Sequence, residues 1–435
     1  MKPAAFAKKC FLWFKHHIIQ IIFPRAYEDH SARRFYREYK DCFQFAPLHN
    51  NSKIRVGFFI QRAETFDAVQ SIFESMLKDS AFEVYAFVIP RYDQNHDKFN
   101  FETIEPNLEF IKKYGDKCKI VNTYKDGHFI ELEPFKIDYL FLCVPYEAHY
   151  PKEYSFEKLH KISKVCLTQY SFIFWDEFPL LQTSFPMKTL ANCDYVFADN
   201  PLSHEYLDAL YKVVSKETHK KYVYFFGFPG LDLLKSEKFT KLDTIMWIPR
   251  WTAVEKGNMS SSFMKYKDNF VNFVNEGKHT LITRPHPLMF NNYINNGIMT
   301  EKEVEEFKKS ISQNGSYLDE TCDFHDSIKK ADLMIADFSS LVVYYTLLNK
   351  PVIYLDNKHA VARSFRYLWK SYYPANSWSD IVKIITNLEK GNDPKKEIRE
   401  KVLKKFYKEN PEHAGKSIAN FIKREYNKGK KYDRK

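Results

Sequence analysis

Two short segments carry residue types able to grip and transfer an anionic group. In Leu281-Ile-Thr-Arg-Pro-His-Pro287 an apolar run ends in a histidine held between two prolines, with an arginine two residues before it. Prolines on both sides of His286 restrict the backbone and end the strand. Such rigid presentation suits His286 as a general acid or as a donor to a phosphate oxygen. Arg284 offers a charge-assisted fork for the same anion. In Asp332-Leu-Met-Ile-Ala-Asp-Phe-Ser-Ser340 a second apolar run leads into Asp337, Ser339 and Ser340. These three fall where a strand ends and a helix starts. Serine is a natural N-cap, and the free N–H groups of a helix start favour a phosphate. Plain capping is compatible with that role, and a purely structural turn is the competing reading of His286.

A third cluster is less specific. Trp247-Ile-Pro-Arg-Trp-Thr252 puts Arg250 at the end of another apolar run, and Phe226-Gly-Phe-Pro-Gly-Leu-Asp232 precedes it. Gly227 and Gly230 permit close backbone approach. Arg250 and Gly227 are therefore candidates for donor binding, with interdomain hinge and cleft wall as the alternative.

The elements needed to position these residues are legible. Ile54–Ile60 is a short apolar run suited to a buried parallel strand. Helical spacing of Phe66, Val69, Ile72, Phe73 and Met76 predicts a helix over 66–78. Further strands are expected at 82–89, 119–121, 137–144, 165–168 and 194–198. Asn200-Pro201 then reads as an N-cap with proline at the first helical position. After the charged stretch 235–241 the pattern restarts, with strands at 244–248, 279–283, 333–336 and 352–355. Helices are expected at 263–276, 301–313 and 341–348, with a final helical region from Asp393-Pro394 to about Tyr426, broken near Asn410-Pro411. Strands alternating with helices twice over predict two α/β, doubly wound domains facing a cleft. The expected divisions are an N-terminal extension (1–50), a first Rossmann-like domain (51–225), a second Rossmann-like domain (226–395), and C-terminal helices with a basic tail (396–435).

Composition agrees with this and excludes several classes. A chain of 435 residues, 44% hydrophobic and 28% charged, is long enough for two cored domains and is neither disordered nor collagen-like. Its 12 glycines include no G-x-G pair, so the dinucleotide fingerprint is absent, and no Walker A loop occurs. The 7 cysteines form no C-x-x-C, which supports neither a zinc knuckle nor a redox pair and points to a reducing compartment.

The termini hold much of the basic excess. Lys2, Lys8, Lys9, Lys15 and Arg25 precede the first acid, Glu28, and flank Phe11, Leu12, Trp13, Phe14, Ile18, Ile19, Ile21 and Ile22. The apolar run is too short to span a bilayer and lacks a cleavage site. An anionic membrane surface is the expected partner of this basic amphipathic helix, and packing on its own domain is the alternative. The tail 423–435 holds seven Lys/Arg against two acids. No zinc-finger, RRM-like or helix-turn-helix signature accompanies the net charge of +11, so nucleic acid is not an expected partner.

In order, the segments Gly227–Asp232, Trp247–Trp251, Arg284–Pro287, Ala331–Ser340 and Lys350–Tyr354 resemble those of the CDP-glycerol glycerophosphotransferase family, the teichoic-acid and capsule polymerase type. The likeness covers about residues 160–425. It implies a GT-B fold, a CDP-activated donor held by the C-terminal domain, and neither cofactor nor metal; the absence of D-x-D is in keeping with that. The family's loop "Q-x-W-H-G-T-P", whose histidine is taken as the acceptor base, corresponds here to Leu167-Thr-Gln-Tyr-Ser-Phe-Ile-Phe-Trp-Asp-Glu177, which has no histidine. Asp176 or Glu177 is then the expected substitute base, with His149 a further candidate.

The expectation is a cytoplasmic transferase, peripheral on the inner face of the membrane, that joins a CDP- or UDP-linked donor to a polymer or lipid-linked acceptor. Arg284, Ser339, Ser340 and the helix start would hold the diphosphate, with Asp337, Arg250 and Gly227 around it. His286 would stabilise or protonate the leaving phosphate. An inverting GT-B glycosyltransferase for capsule or lipooligosaccharide is the rival enzyme, and a non-catalytic nucleotide-binding scaffold the rival from another class.

Overall fold

A computed structural model of the chain describes residues 24–44, 46, 48–49, 51–93, 97–174, 183–236, 239–253, 261–321, 323–355 and 363–432. The basic N-terminal segment before Pro24, Asp176 and Glu177 lie outside the described residues.

The first sheet has seven parallel strands: β1 (Ile54–Ile60), β2 (Phe82–Val88), β3 (Lys119–Asn122), β4 (Tyr139–Leu142), β5 (Lys164–Leu167), β6 (Tyr195–Ala198) and β7 (Val223–Phe225). Their spatial order is β7-β6-β5-β4-β1-β2-β3. Helices cover both faces, so central strands such as Tyr139–Leu142 are buried at every residue and read as continuous apolar runs. The helix α1 (Pro24–Tyr39) precedes the sheet, and α2 (Asp67–Leu77) follows β1, burying Ala68, Val69, Ile72, Phe73 and Met76. Past β6, α3 (Pro201–Thr218) starts as its sequence predicts, the Asn200 side chain accepting from the Ser203 N–H with Pro201 in the first turn.

The second sheet repeats the design with six parallel strands: β8 (Thr244–Ile248), β9 (Thr280–Thr283), β10 (Tyr317–Leu318), β11 (Leu333–Ala336), β12 (Val352–Tyr354) and β13 (Tyr373–Pro374), ordered β10-β9-β8-β11-β12-β13. Both sheets thus have the doubly wound order in which the direction of winding reverses beside the first strand. Trp247 fills this core, stacked 4.0 Å from Phe270 of α4 (Phe263–Glu276). The helix α5 (Leu341–Thr346) follows β11.

After α6 (Lys396–Glu409), the last helix, α7 (Ala414–Tyr432), returns to the first sheet and packs on α2. A Cβ at Gly415 would stand 2.3 Å from the Ser71 backbone, so no larger residue fits this crossing unless the helices separate. Asp232 holds the junction. Its carboxylate accepts from the N–H groups of Ala414 (3.0 Å) and Gly415 (2.8 Å) at the start of α7, and from Ser71 Oγ (2.9 Å) on α2. The two sheets are also bridged by Tyr344 Oη, which donates to Asp67 (2.7 Å). Among the described residues no helix is long and apolar enough to cross a membrane.

Candidate active site

In doubly wound sheets ligands sit beyond the carboxyl ends of the strands, at the crevice where the winding reverses. The crevice of the second sheet lies between β8 and β11. Arg250 follows β8 and Asp337, Ser339 and Ser340 follow β11, while His286 follows the neighbouring β9. The three sequence segments therefore converge on one end of one sheet. A cavity of about 600 Å³ lined by Ser236, Asn349, Glu400 and Tyr407 is a different place, near the amino end of β12.

His286 is exposed, with the Leu288 backbone and the Trp251 ring against it. The Leu288 N–H donates to its Nδ1 at 3.2 Å, the Met289 N–H donates to its carbonyl, and the Trp251 ring lies 5.9 Å away. Desolvation pushes its pKa down to about 4, helped by the positive charges of Arg250, Arg91 and Arg62. The ring is accordingly neutral near pH 7, with the proton on Nε2. It can donate one hydrogen bond to an anion without a prior protonation step.

Asp337 is buried, and its Oδ2 accepts from the backbone N–H groups of Arg250 (2.9 Å) and Ser262 (3.0 Å). It shapes the turn that carries Arg250. The Arg250 guanidinium in turn donates to the Phe338 carbonyl (2.9 Å) and lies over the Phe338 ring. Ser339 Oγ accepts from the Leu341 N–H at 3.3 Å, whereas the Ser340 side chain makes no capping bond. Of the two serines, Ser340 is the one whose hydroxyl no capping bond engages among the described residues.

Arg284 is buried, and its fork is engaged within the protein. It donates to Asp319 (2.6 Å) and to the Thr321 carbonyl (2.8 Å), tying the end of β9 to the loop after β10. Burial alone would raise the Asp319 pKa, but Ser327, Thr321 and Arg284 outweigh it and hold the carboxyl below its ordinary value. The close approach at Gly227 is to the chain itself: with φ +91°, its added Cβ would meet the Pro411 carbonyl oxygen. Its conformation serves the junction with α7.

The first sheet presents its own crevice, between β1 and β4. Arg62 follows β1, Arg91 lies just beyond β2, and His149 lies beyond β4. His149 is buried between the rings of Tyr92 and Tyr146. Desolvation, then Arg62 and Arg91, lower its pKa to about 4, which makes it a weak base. The same two arginines act on His286, which puts them within electrostatic range of both histidines. Arg62 and Arg91 escaped the sequence reading, although Arg62 directly follows the clearest strand, the position that singled out Arg250. The last described residues before Asp176 are anchored: the Ile173 N–H donates to buried Asp199 (2.6 Å) and Phe174 packs 5.0 Å from Phe338. Among the described residues no group of three or more His, Cys, Asp or Glu could hold a metal ion.

Residues 182–424 match the family described as CDP-Glycerol:Poly(glycerophosphate) glycerophosphotransferase. No curated protein matches the sequence. Among solved structures, the wall teichoic acid polymerase TagF is 13% identical with a TM-score of 0.51, covering 98% of this chain and 99% of that one. A UDP-N-acetylglucosamine 2-epimerase is 13% identical with a TM-score of 0.53, covering 86% and 97%. A putative enzyme of that name from Listeria monocytogenes is 12% identical with a TM-score of 0.51, covering 85% and 95%. These likenesses agree with the two-domain, doubly wound fold seen here and with the resemblance read from the sequence.

Proposed function

Because the chain belongs to the CDP-glycerol:poly(glycerophosphate) glycerophosphotransferase family, we propose that its cleft transfers a polyol phosphate from a CDP-linked donor to the end of a growing cell-surface polymer. The donor is CDP-glycerol or a related CDP-polyol. Its diphosphate lies against Ser340, Arg250 and the Nε2–H of His286. Asp337 and Arg284 hold the loops that carry those groups, and Ser339 closes the helix start beside them. Gly227 keeps the hinge in register.

The acceptor hydroxyl attacks the phosphorus that bears the polyol. A new O–P bond forms, the bond from that phosphorus to the CMP oxygen breaks, and the acceptor proton passes to a first-domain base. We assign that base to Asp176, which follows Phe174 by two residues; Phe174 itself packs beside Phe338. Negative charge builds on the bridging oxygen as CMP leaves, and a neutral His286 stabilises it by hydrogen bonding. Removing one donor of this kind typically costs a factor of about 10²–10³. Positioning and electrostatic stabilisation are the main tools available to phosphoryl transfer.

The observation that carries this reading is the convergence of the loops bearing Arg250, His286 and Ser340 on the carboxyl end of one sheet, at its crevice. Arg91 and Arg62 of the first domain add positive field at His286, as a diphosphate donor and a phosphate-bearing acceptor require. The basic N-terminal residues Lys2, Lys8, Lys9 and Lys15, interleaved with Trp13 and isoleucines, would hold the enzyme at the anionic inner face of the membrane, where a lipid-linked acceptor resides.

Turnover assays with CDP-glycerol, CDP-ribitol and UDP-sugars test the assignment. Consumption of a CDP-polyol in the presence of a glycerophosphate primer is expected. Consumption of a UDP-sugar alone would make the enzyme a glycosyltransferase, and no turnover of any donor would leave a nucleotide-binding scaffold.

A further inference from the structure

Arg62 is more than a distant contributor to the field at His286. It emerges from β1 at the first sheet's crevice beside Gln61, whose amide donates to the His149 carbonyl. Two polar atoms are left over at this point. Gln61 Oε1 and Arg62 Nε are both buried, and neither has a hydrogen-bond partner among the described residues. Arg91 nearby is partly neutralised by Glu64 at 3.2 Å. Desolvation and the neighbouring Arg91 act against the charge of Arg62 and Glu64 offsets part of this, but the half-buried guanidinium has no carboxylate of its own among the described residues. Burying an unpaired guanidinium is costly, and a fold normally pairs or removes such a charge. One kept at the mouth of a ligand crevice has its partner in the ligand.

We infer that Arg62, supported by Arg91, binds a phosphodiester oxyanion of the acceptor chain and so places the terminal hydroxyl of that chain opposite His286. This rests on the reading of the cleft as a CDP-polyol transferase. The donor's diphosphate is held on the opposite wall by Ser340, Arg250 and His286, which leaves the first-domain arginine for the acceptor. A polymer of polyol phosphates carries one negative charge per repeat, and the last diester lies only a few bonds from the attacking hydroxyl. The planar guanidinium matches two oxygens of a diester, which a lysine cannot do. An uncharged acceptor would gain nothing from the site.

The test uses the full chain and two variants, R62Q and R62K, with a synthetic glycerophosphate dimer as acceptor probe. Neither variant should lower the thermal midpoint, since the side chain makes no hydrogen bond within the described protein, and R62Q should match or exceed the wild type. With CDP-glycerol saturating, R62Q should raise KM for the dimer about tenfold or more and leave KM for CDP-glycerol within about twofold. R62K should fall between R62Q and the wild type. An unchanged KM for the dimer would overturn the inference, as would an equal rise in KM for CDP-glycerol, which would put Arg62 on the donor's own diphosphate. Calorimetric titration of the dimer into wild type and R62Q, without donor, separates this from the functional reading. About tenfold weaker binding to R62Q supports the acceptor site even if the wild type turns over no CDP-glycerol, whereas equal binding refutes it even if turnover is robust.

Discussion

The Leu288 N–H donates to Nδ1 of His286 at 3.2 Å, and this bond decides what the histidine can do. With Nδ1 occupied as an acceptor, the neutral ring carries its proton on Nε2. Protonating the ring would require breaking that bond in a field already made positive by Arg250, Arg91 and Arg62. Folding thus selects a neutral donor over an imidazolium acid. His286→Ala should lower kcat by about 10²–10³ with little change in thermal midpoint, because the ring is solvent-accessible. In an NMR titration of the free protein, the His286 ring should take up its proton near pH 4. Titration near 6.5 would contradict the account.

The two serines before α5 should separate into different phenotypes. Ser339 Oγ accepts from the Leu341 N–H, so Ser339→Ala should cost about 1 kcal/mol of stability, as lost caps do. The Ser340 hydroxyl makes no such bond. Ser340→Ala should therefore unfold like the wild type but raise KM for the CDP-linked donor about tenfold, the range for a hydrogen bond to a charged group. Denaturant melts and donor KM measured on both variants check this. A Ser340→Ala variant with normal donor KM would remove that serine from the site.

Arg284 should behave as a positioning residue. Its ion pair with Asp319 is buried on both sides, and removing one member of such a pair strands the other, at about 3–5 kcal/mol. Arg284→Met should therefore lose far more stability than activity per folded molecule. Arg284→Lys should not restore it, because one ammonium cannot serve both Asp319 and the Thr321 carbonyl in the same plane. Full stability with a selectively raised donor KM would instead make Arg284 a direct ligand of the diphosphate.

Asp67, bridged to Tyr344 across the domains, gives a pH dependence with a definite sign. Burial lifts its pKa to about 6, against the hydrogen bond from Tyr344, which lowers it. A carboxyl whose folded pKa is raised holds its proton more tightly when folded. Its contribution is therefore greatest below about pH 4 and is lost as pH rises to 6, by up to about 3 kcal/mol. Asp67→Asn cannot ionise, so the difference in unfolding free energy between variant and wild type should move in the variant's favour from pH 4 to pH 6.5. A difference that stays flat across that range would show that Asp67 does not titrate there.

Much of this arrangement is legible in the sequence, for reasons that differ from element to element. Thr244–Ile248 and Leu333–Ala336 were readable to the residue, since strands buried on both faces are unbroken apolar runs bounded by charge and proline. The two-residue edge strands at Tyr317 and Tyr373 were not, because two residues carry no period. The prolines around His286 announced a fixed strand end, whereas the partner of Arg284 lies 35 positions away at Asp319 and only the third dimension reveals it. The tight approach at Gly227 was foreseeable from its type, but not that Pro411 would be the neighbour. Arg62 has the right position after β1 but no motif companions, and only the fold brings it within electrostatic range of His286 with no pairing carboxylate among the described residues.

Product analysis tests the central claim most directly. Wild-type protein incubated with CDP-glycerol and a glycerophosphate primer should release CMP in step with primer elongation, one nucleotide per unit added, and His286→Ala should slow both together. Release of a nucleoside diphosphate from a sugar nucleotide, with CDP-glycerol left intact, would show attack at carbon instead of phosphorus and contradict the account.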